Sequence, residues 1–396
     1  MKSAAAPSLG QVLRVALEGG RLKLPRRQRK ILNVLAACGT GRLGGHRYRC
    51  ERCGGEHFVA HRCGNRHCPN CQGGQAVEWL SRQEAVLLPI TYFHVVFTVP
   101  HRLNALIRQN RRVMFNLLFE SASRTLLEFG RNQLKAQIGI TGVLHTWGQT
   151  LAEHYHLHCI VTGGGLALDG AGWVRASEHY LFAVRALSKV FSGKFRAGLR
   201  ELYAHGKLEF HGKVKVLTEA GVFEKLLGKL KEQKWVVYAK RPFAGPRQVL
   251  EYLSRYTHRV AISNRRLLSL EDGRVNFSYK DYSEGQRRKT MRLAVEEFVR
   301  RFCLHVLPER FVKIRHYGLV GNRNRTERIA RARQSLGLEE RLVESEEGAQ
   351  EEAAPGPSKS DVRLRCPRCG MLSLVWVEEV PRKARRIGAI WDCDTS

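Results

Sequence analysis

The chain has 396 residues, with 67 lysines and arginines against 36 aspartates and glutamates, for a formal net charge of +31 and a pI near 10.2. That length has room for two or three domains. A charge so far from zero opposes a compact fold by self-repulsion unless a polyanion neutralises it, so nucleic acid is the expected partner. No run approaches 18 consecutive apolar residues and no basic-then-apolar leader opens the chain, so a cytoplasmic protein is expected and no membrane partner. Eleven cysteines, six of them from Cys38 to Cys71, would read as disulfides in a small secreted domain. At this length and with paired Cys-x-x-Cys spacing they favour metal.

Residues 1–85 open with two stretches of helical apolar spacing, Leu13 to Leu17 and Ile31 to Leu35, separated by Pro25-Arg26-Arg27-Gln28-Arg29-Lys30. Two knuckles follow, Cys50/Cys53 and Cys68/Cys71, which match a four-thiolate structural zinc site. Cys63, His46, His57, His61 and His67 are near enough in sequence to replace one thiolate or to build a second site. A closed zinc site folds a loop-rich segment that could not bury enough surface unaided. Arg66 and the other arginines around it suit DNA docking.

Residues 86–330 read as strands set between helices without regular β-α-β alternation, which favours an α+β fold with a mainly antiparallel sheet. A buried strand is predicted over 91–99, helices over 102–137, and a strand over 138–147. Then comes His154-Tyr155-His156-Leu157-His158-Cys159-Ile160-Val161, where alternation places His156 and His158, with His154, on one strand face as neutral imidazoles a metal can share. Gly163-Gly164-Gly165 is expected to end that strand. The short connection makes antiparallel pairing of these two strands the default and brings His145 alongside. A third ligand is therefore His145 or His154, with Gln149 and Glu153 as oxygen donors to consider. Helices are expected over 177–203 and 221–233, and a strand over 235–239. Pro246 suits the first turn of a further helix, on which Tyr252 and Tyr256 stack at i,i+4 with Arg255 and Arg259 sharing their surface. A hairpin around Glu271-Asp272-Gly273, a helix over 293–306 and a strand over 310–315 complete this part.

Residues 331–396 begin with a glutamate-rich run and a Pro-Gly-Pro segment, a linker by composition. Cys366-Pro367-Arg368-Cys369-Gly370 then resembles half a zinc ribbon with no second knuckle after it.

The histidine strand, the Tyr-x-x-x-Tyr helix, the run Tyr92 to His101 and the sequence Cys63-Gly64-Asn65-Arg66-His67-Cys68-Pro69-Asn70-Cys71-Gln72 together resemble the two-tyrosine HUH transposases of rolling-circle insertion sequences. The similarity spans roughly residues 10–330 by its motifs. It implies His156 and His158 as ligands of a divalent cation, Mg²⁺ or Mn²⁺, and Tyr252 and Tyr256 as nucleophiles toward DNA phosphodiesters. It further implies a zinc-binding domain at the N-terminus. Lys240-Arg241-Pro242-Phe243 resembles the family's sequence before its nucleophile helix, and Lys240, Arg241, Arg255 and Arg259 are then expected on phosphates. The implied activity nicks and rejoins single-stranded or hairpin element ends through 5′-phosphotyrosine intermediates. A plasmid replication initiator or relaxase would use the same chemistry. A zinc-dependent nucleic-acid-binding regulator would explain the charge and cysteines, but not the histidines and tyrosines.

Overall fold

The structure, a computed structural model, describes residues 6–84, 86–243, 248–249, 259–338 and 364–382. Tyr252, Arg255 and Tyr256 lie outside the described residues, and of Lys240 and Arg241 only the backbone is described.

In chain order, helices α1 (Leu9–Glu18) and α2 (Arg26–Ala36), strands β1 (Gly45–Cys50) and β2 (Glu56–Ala60) and helix α3 (Pro69–Glu84) come first. Ser8 starts α1 through a capping box with Gln11, which satisfies amides that the first turn leaves unpaired. Next are β3 (Tyr92–Thr98), α4 (Asn104–Gln109), α5 (Arg111–Gln133), β4 (Ala136–Trp147), β5 (Glu153–Ala167), β6 (Trp173–Arg175), α6 (Val184–Ala204), α7 (Ala220–Glu232) and β7 (Val237–Phe243). A meander, β8 (Leu267–Glu271), β9 (Arg274–Asp281) and β10 (Arg287–Ala294), leads to α8 (Val295–Cys303), β11 (Ile314–Gly318) and α9 (Arg325–Ser335). Two tail strands follow, β12 (Leu364–Arg365) and β13 (Leu372–Val380).

The large sheet has the order β11-β4-β5-β3-β7, with β6 paired to the far end of β5 and every pairing antiparallel. Its two faces differ because β5 alternates. Tyr155, Leu157, Cys159 and Val161 point into a core shared with Phe97, Phe119, Phe191, Phe195 and Phe223, which joins the sheet to α5, α6 and α7. Burial of each of those phenylalanines contributes about 1.5–3 kcal/mol. The intervening residues of β5, among them His156 and His158, face the other way.

The glycines of β5 do not end the strand. A Cβ on Gly163 would lie 2.7 Å from the Thr91 carbonyl oxygen and one on Gly165 would lie 2.3 Å from that of Gln137. Those residues are glycine because neighbouring backbones approach closely there, and the strand runs on to Ala167.

On the histidine side a second layer forms. Phe277 of β9 and Phe298 of α8 pack with Leu9, Leu13 and Leu32 of α1 and α2, and the Leu9 amide donates to Asn264 Oδ1 at 2.9 Å. The N-terminal helices therefore pack against residues far along the chain. Strand β10 is absent from the sequence reading because Arg287-Arg288-Lys289-Thr290-Met291-Arg292 looks like charged surface; it is held by an eight-residue ladder with β9 instead of by burial. The tail strand β13 pairs with β1 in a four-stranded sheet, β12-β13-β1-β2.

Candidate active site and metal centres

Register decides which histidines meet. His145 on β4 is opposite His156 on β5, and Val143 is opposite His158. The ligating atoms of His145, His156 and His158 lie within 4.8 Å of one another. His156 Nδ1 donates to the carbonyl of His154 at 2.9 Å, and His158 Nδ1 lies 2.8 Å from His94 Nε2. A partner on one ring nitrogen of a histidine fixes how the other is presented to a cation. Desolvation, then the charge of neighbouring His154, pushes His156 down to about 3. Desolvation likewise pushes His158 well below the usual imidazole range. Both are therefore neutral, the form that binds metal.

His154 is not in this group. Its ring stacks on His101, with centroids 5.3 Å apart, and tilts against the His156 ring at 4.8 Å, while its carbonyl orients His156. Glu153 is engaged elsewhere: one guanidinium edge of Arg108, Nε and Nη2, donates to both of its carboxylate oxygens and the Tyr155 hydroxyl donates to it at 2.6 Å. Among the described residues, the groups brought together here are three imidazoles.

The tyrosine segment is bracketed by two described residues. Val249, fully buried, packs with Tyr92 and Ile160, and Ile160 lies on the same face of β5 as His156 and His158. On the far side, the Arg259 carbonyl accepts from Lys313 Nζ at 2.9 Å, and Lys313 lies over Trp147, 5.4 Å from its centroid. Trp147 itself stacks on His145 at 4.6 Å. Arg66, His67, Trp147, Arg259 and Lys313 line one small cleft. Burial, then the charges of Arg66 and Arg259, brings Lys313 down to about 7. Arg66 donates to the Phe311 carbonyl at 2.5 Å, so part of its guanidinium fastens the cysteine-rich lobe to the large domain.

The four thiolates expected to share one zinc are divided between two clusters. Cys68 and Cys71, at the start of α3, join Cys63 and Cys38, with Cys38–Cys71, Cys63–Cys71 and Cys38–Cys68 sulfur separations of 3.7, 3.6 and 3.6 Å. Around a tetrahedral ion with Zn–S near 2.3 Å, sulfurs are about 3.8 Å apart, whereas a disulfide needs about 2.05 Å. Cys50 and Cys53 instead group with Cys366 and Cys369, because β1 carries them toward its tail partner β13. The histidines considered as substitutes lie outside both thiolate sets: His46 and His61 meet at 3.3 Å, His67 Nε2 accepts from the Leu307 amide, and His57 Nε2 sits 3.4 Å from Cys366 Sγ. Sequence reasoning missed Cys38, which has no nearby partner to announce it, and His94, which lies on a strand that looked wholly structural. It also missed the union of Cys50/Cys53 with Cys366/Cys369. A signal for that union was present: Cys-x-Arg-Cys-Gly occurs at both 50–54 and 366–370.

Residues 139–328 match the family model Y2_Tnp, described as "Putative transposase", and residues 14–99 match the "Transposase zinc-binding domain" model. The chain is 41% identical over 354 residues to "Putative transposase y4qJ" of Sinorhizobium fredii, covering 89% of each chain. It is 28% identical over 302 residues to the transposase for insertion sequence element IS801 of Pseudomonas savastanoi pv. phaseolicola, covering 73% of this chain and 69% of that one. A solved structure of the conjugative relaxase TrwC in complex with OriT DNA is 15% identical, with a TM-score of 0.24, over 42% of this chain and 71% of its own; a likeness that slight supports no inference. The chain belongs to the Y2_Tnp family of putative transposases and carries the transposase zinc-binding domain at its N-terminal side.

Proposed function

We propose that this transposase cleaves and rejoins single-stranded DNA at the ends of its element, with Tyr252 and Tyr256 as nucleophiles and a divalent cation held by His145, His156 and His158. A phenol with a pKa near 10 attacks well only if its proton leaves as the new bond forms. Attack on the scissile phosphate makes an O–P bond from tyrosine to the 5′ side and breaks the bond to the 3′ oxygen, which leaves as a hydroxyl with a proton. Reverse attack by a 3′-hydroxyl restores the phosphodiester and the phenol, so no nucleotide cofactor is needed. Two phenols at i,i+4 allow one strand end to be held while a second is attacked.

The bound cation would draw charge from the non-bridging phosphate oxygens. Three neutral nitrogen donors suit Mn²⁺ better than Mg²⁺, which prefers oxygen. Lys240, Arg241, Arg255 and Arg259 would neutralise the backbone on either side of the break. Cys38, Cys63, Cys68 and Cys71 would hold structural zinc, and that lobe would dock DNA.

The observation that carries this reading is the common face. The three imidazoles, Val249 before the tyrosines and Arg259 after them all belong to the same side of the sheet. The test is incubation of the full chain with single-stranded oligonucleotides from each element end and Mn²⁺, followed by a denaturing gel and mass mapping. A covalent adduct on Tyr252 or Tyr256 is expected, lost in Y252F/Y256F and reduced at least a hundredfold in H156A/H158A, while DNA affinity persists. An adduct that survives the double phenylalanine change, or none from the unaltered chain, refutes it.

A further inference from the structure

The Cys50/Cys53 and Cys366/Cys369 knuckles are separated by more than three hundred residues, yet they are built alike. In the first, the Cys50 amide donates to the Gly55 carbonyl at 2.9 Å and the Gly54 amide to the Cys50 carbonyl at 2.9 Å. In the second, the Cys366 amide donates to the Met371 carbonyl at 2.7 Å and the Gly370 amide to the Cys366 carbonyl at 2.8 Å. Each turn closes on a glycine with positive φ, +66° at Gly54 and +74° at Gly370, a conformation that favours glycine. The two turns face one another. Cys50 Sγ is 3.6 Å from Cys369 Sγ and Cys53 Sγ is 3.9 Å from Cys366 Sγ, with all four within 4.8 Å. Those separations bracket the edge of a tetrathiolate zinc site, about 3.8 Å, and are far beyond a disulfide.

The surroundings suit a charged tetrathiolate. The Cys53 amide points at Cys50 Sγ at 3.4 Å, and the Ser373 hydroxyl lies 3.0 Å from the same sulfur. His57 Nε2 is 3.4 Å from Cys366 Sγ. Leu374 and Tyr48 close the apolar side around Cys50 and Cys366, both almost fully buried.

We infer that Cys50, Cys53, Cys366 and Cys369 bind a second structural zinc ion in a split ribbon, one knuckle from each end of the chain. This ion joins the ends around the catalytic domain, and pairing of β1 with β13 continues the clasp. A metal that closes so long a loop removes much conformational freedom from the unfolded chain. The tail is therefore part of the N-terminal lobe, although its sequence alone is an incomplete site.

Zinc per chain, measured on the purified full-length protein, is expected to fall by one ion in C366S/C369S and by the same one ion in C50S/C53S. The quadruple variant should lose no second ion. Wild-type zinc content in C366S/C369S, or loss of two ions in the quadruple variant, overturns the assignment. A second measurement uses the unaltered chain and so avoids any folding defect: alkylation of the partly exposed Cys53 and Cys369, followed by mass spectrometry. Both should resist the reagent in the zinc-loaded protein and react together once a chelator strips the metal. Reaction of Cys369 at the rate of an unprotected thiol in the loaded protein also overturns it.

Discussion

His94 Nε2 lies 2.8 Å from His158 Nδ1, with the two rings stacked 5.1 Å apart and inclined by only 5°. His94 is buried on β3, the strand next to β5, so it positions a ring of the cluster from outside it. Loss of such a partner typically weakens metal binding about 10–100-fold. H94A is expected to raise the Mn²⁺ concentration needed for half-maximal nicking by that factor, with activity recovered at saturating Mn²⁺ and a smaller effect in H94Q. An unchanged Mn²⁺ requirement would show that the contact has no positioning role.

Cys38 follows α2 and is separated from the other thiols of its cluster by the whole β1–β2 hairpin. Its sulfur nevertheless lies 3.6 Å from that of Cys68 and 3.7 Å from that of Cys71. Removing one ligand from a closed four-thiolate site opens it. C38S and C68S should each lower bound zinc by one ion per chain, whereas serine at the buried Cys159, outside both clusters, should leave zinc content unchanged. Full zinc content in C38S would assign the fourth position to another group.

His305 fastens the β4–β5 turn to the end of α8. Its Nε2–H donates to the Leu151 carbonyl at 3.0 Å, and Nδ1 accepts from the Thr146 hydroxyl at 3.3 Å. Burial lowers its pKa from 6.5 to about 4, so the unfolded chain takes a proton that the folded one refuses. Folding loses stability as pH falls from 6.5 toward 4 and is unaffected by this group above 6.5. H305Q keeps a donor toward Leu151 and cannot titrate. Urea unfolding across that window should show a shallower acid loss for H305Q than for the unaltered chain, and equal slopes would contradict it.

Local chemistry made much of the fold legible. Alternation in His154 to Val161 set the two faces of β5, because side-chain direction in a strand depends only on position. Cysteine pairs announced metal because zinc knuckles are local turns. The tight connection between β4 and β5 also announced that His145 would meet the histidine strand. The basic strand β10 was less legible because its ladder, and not burial, holds it.

What the sequence by itself determined is therefore the set of chemical groups and the elements that carry them: imidazoles on one strand face, thiols in knuckles, an excess of positive charge, two phenols at helical spacing. Tertiary structure decided the grouping. It set His145 with His156 and His158, moved Cys68 and Cys71 into a cluster with Cys38 and Cys63, and sent Cys50 and Cys53 to the tail. Spacing along the chain limits only near neighbours, whereas strand register and the pairing of β1 with β13 fix which distant side chains share a few ångströms, and a metal responds only to that distance.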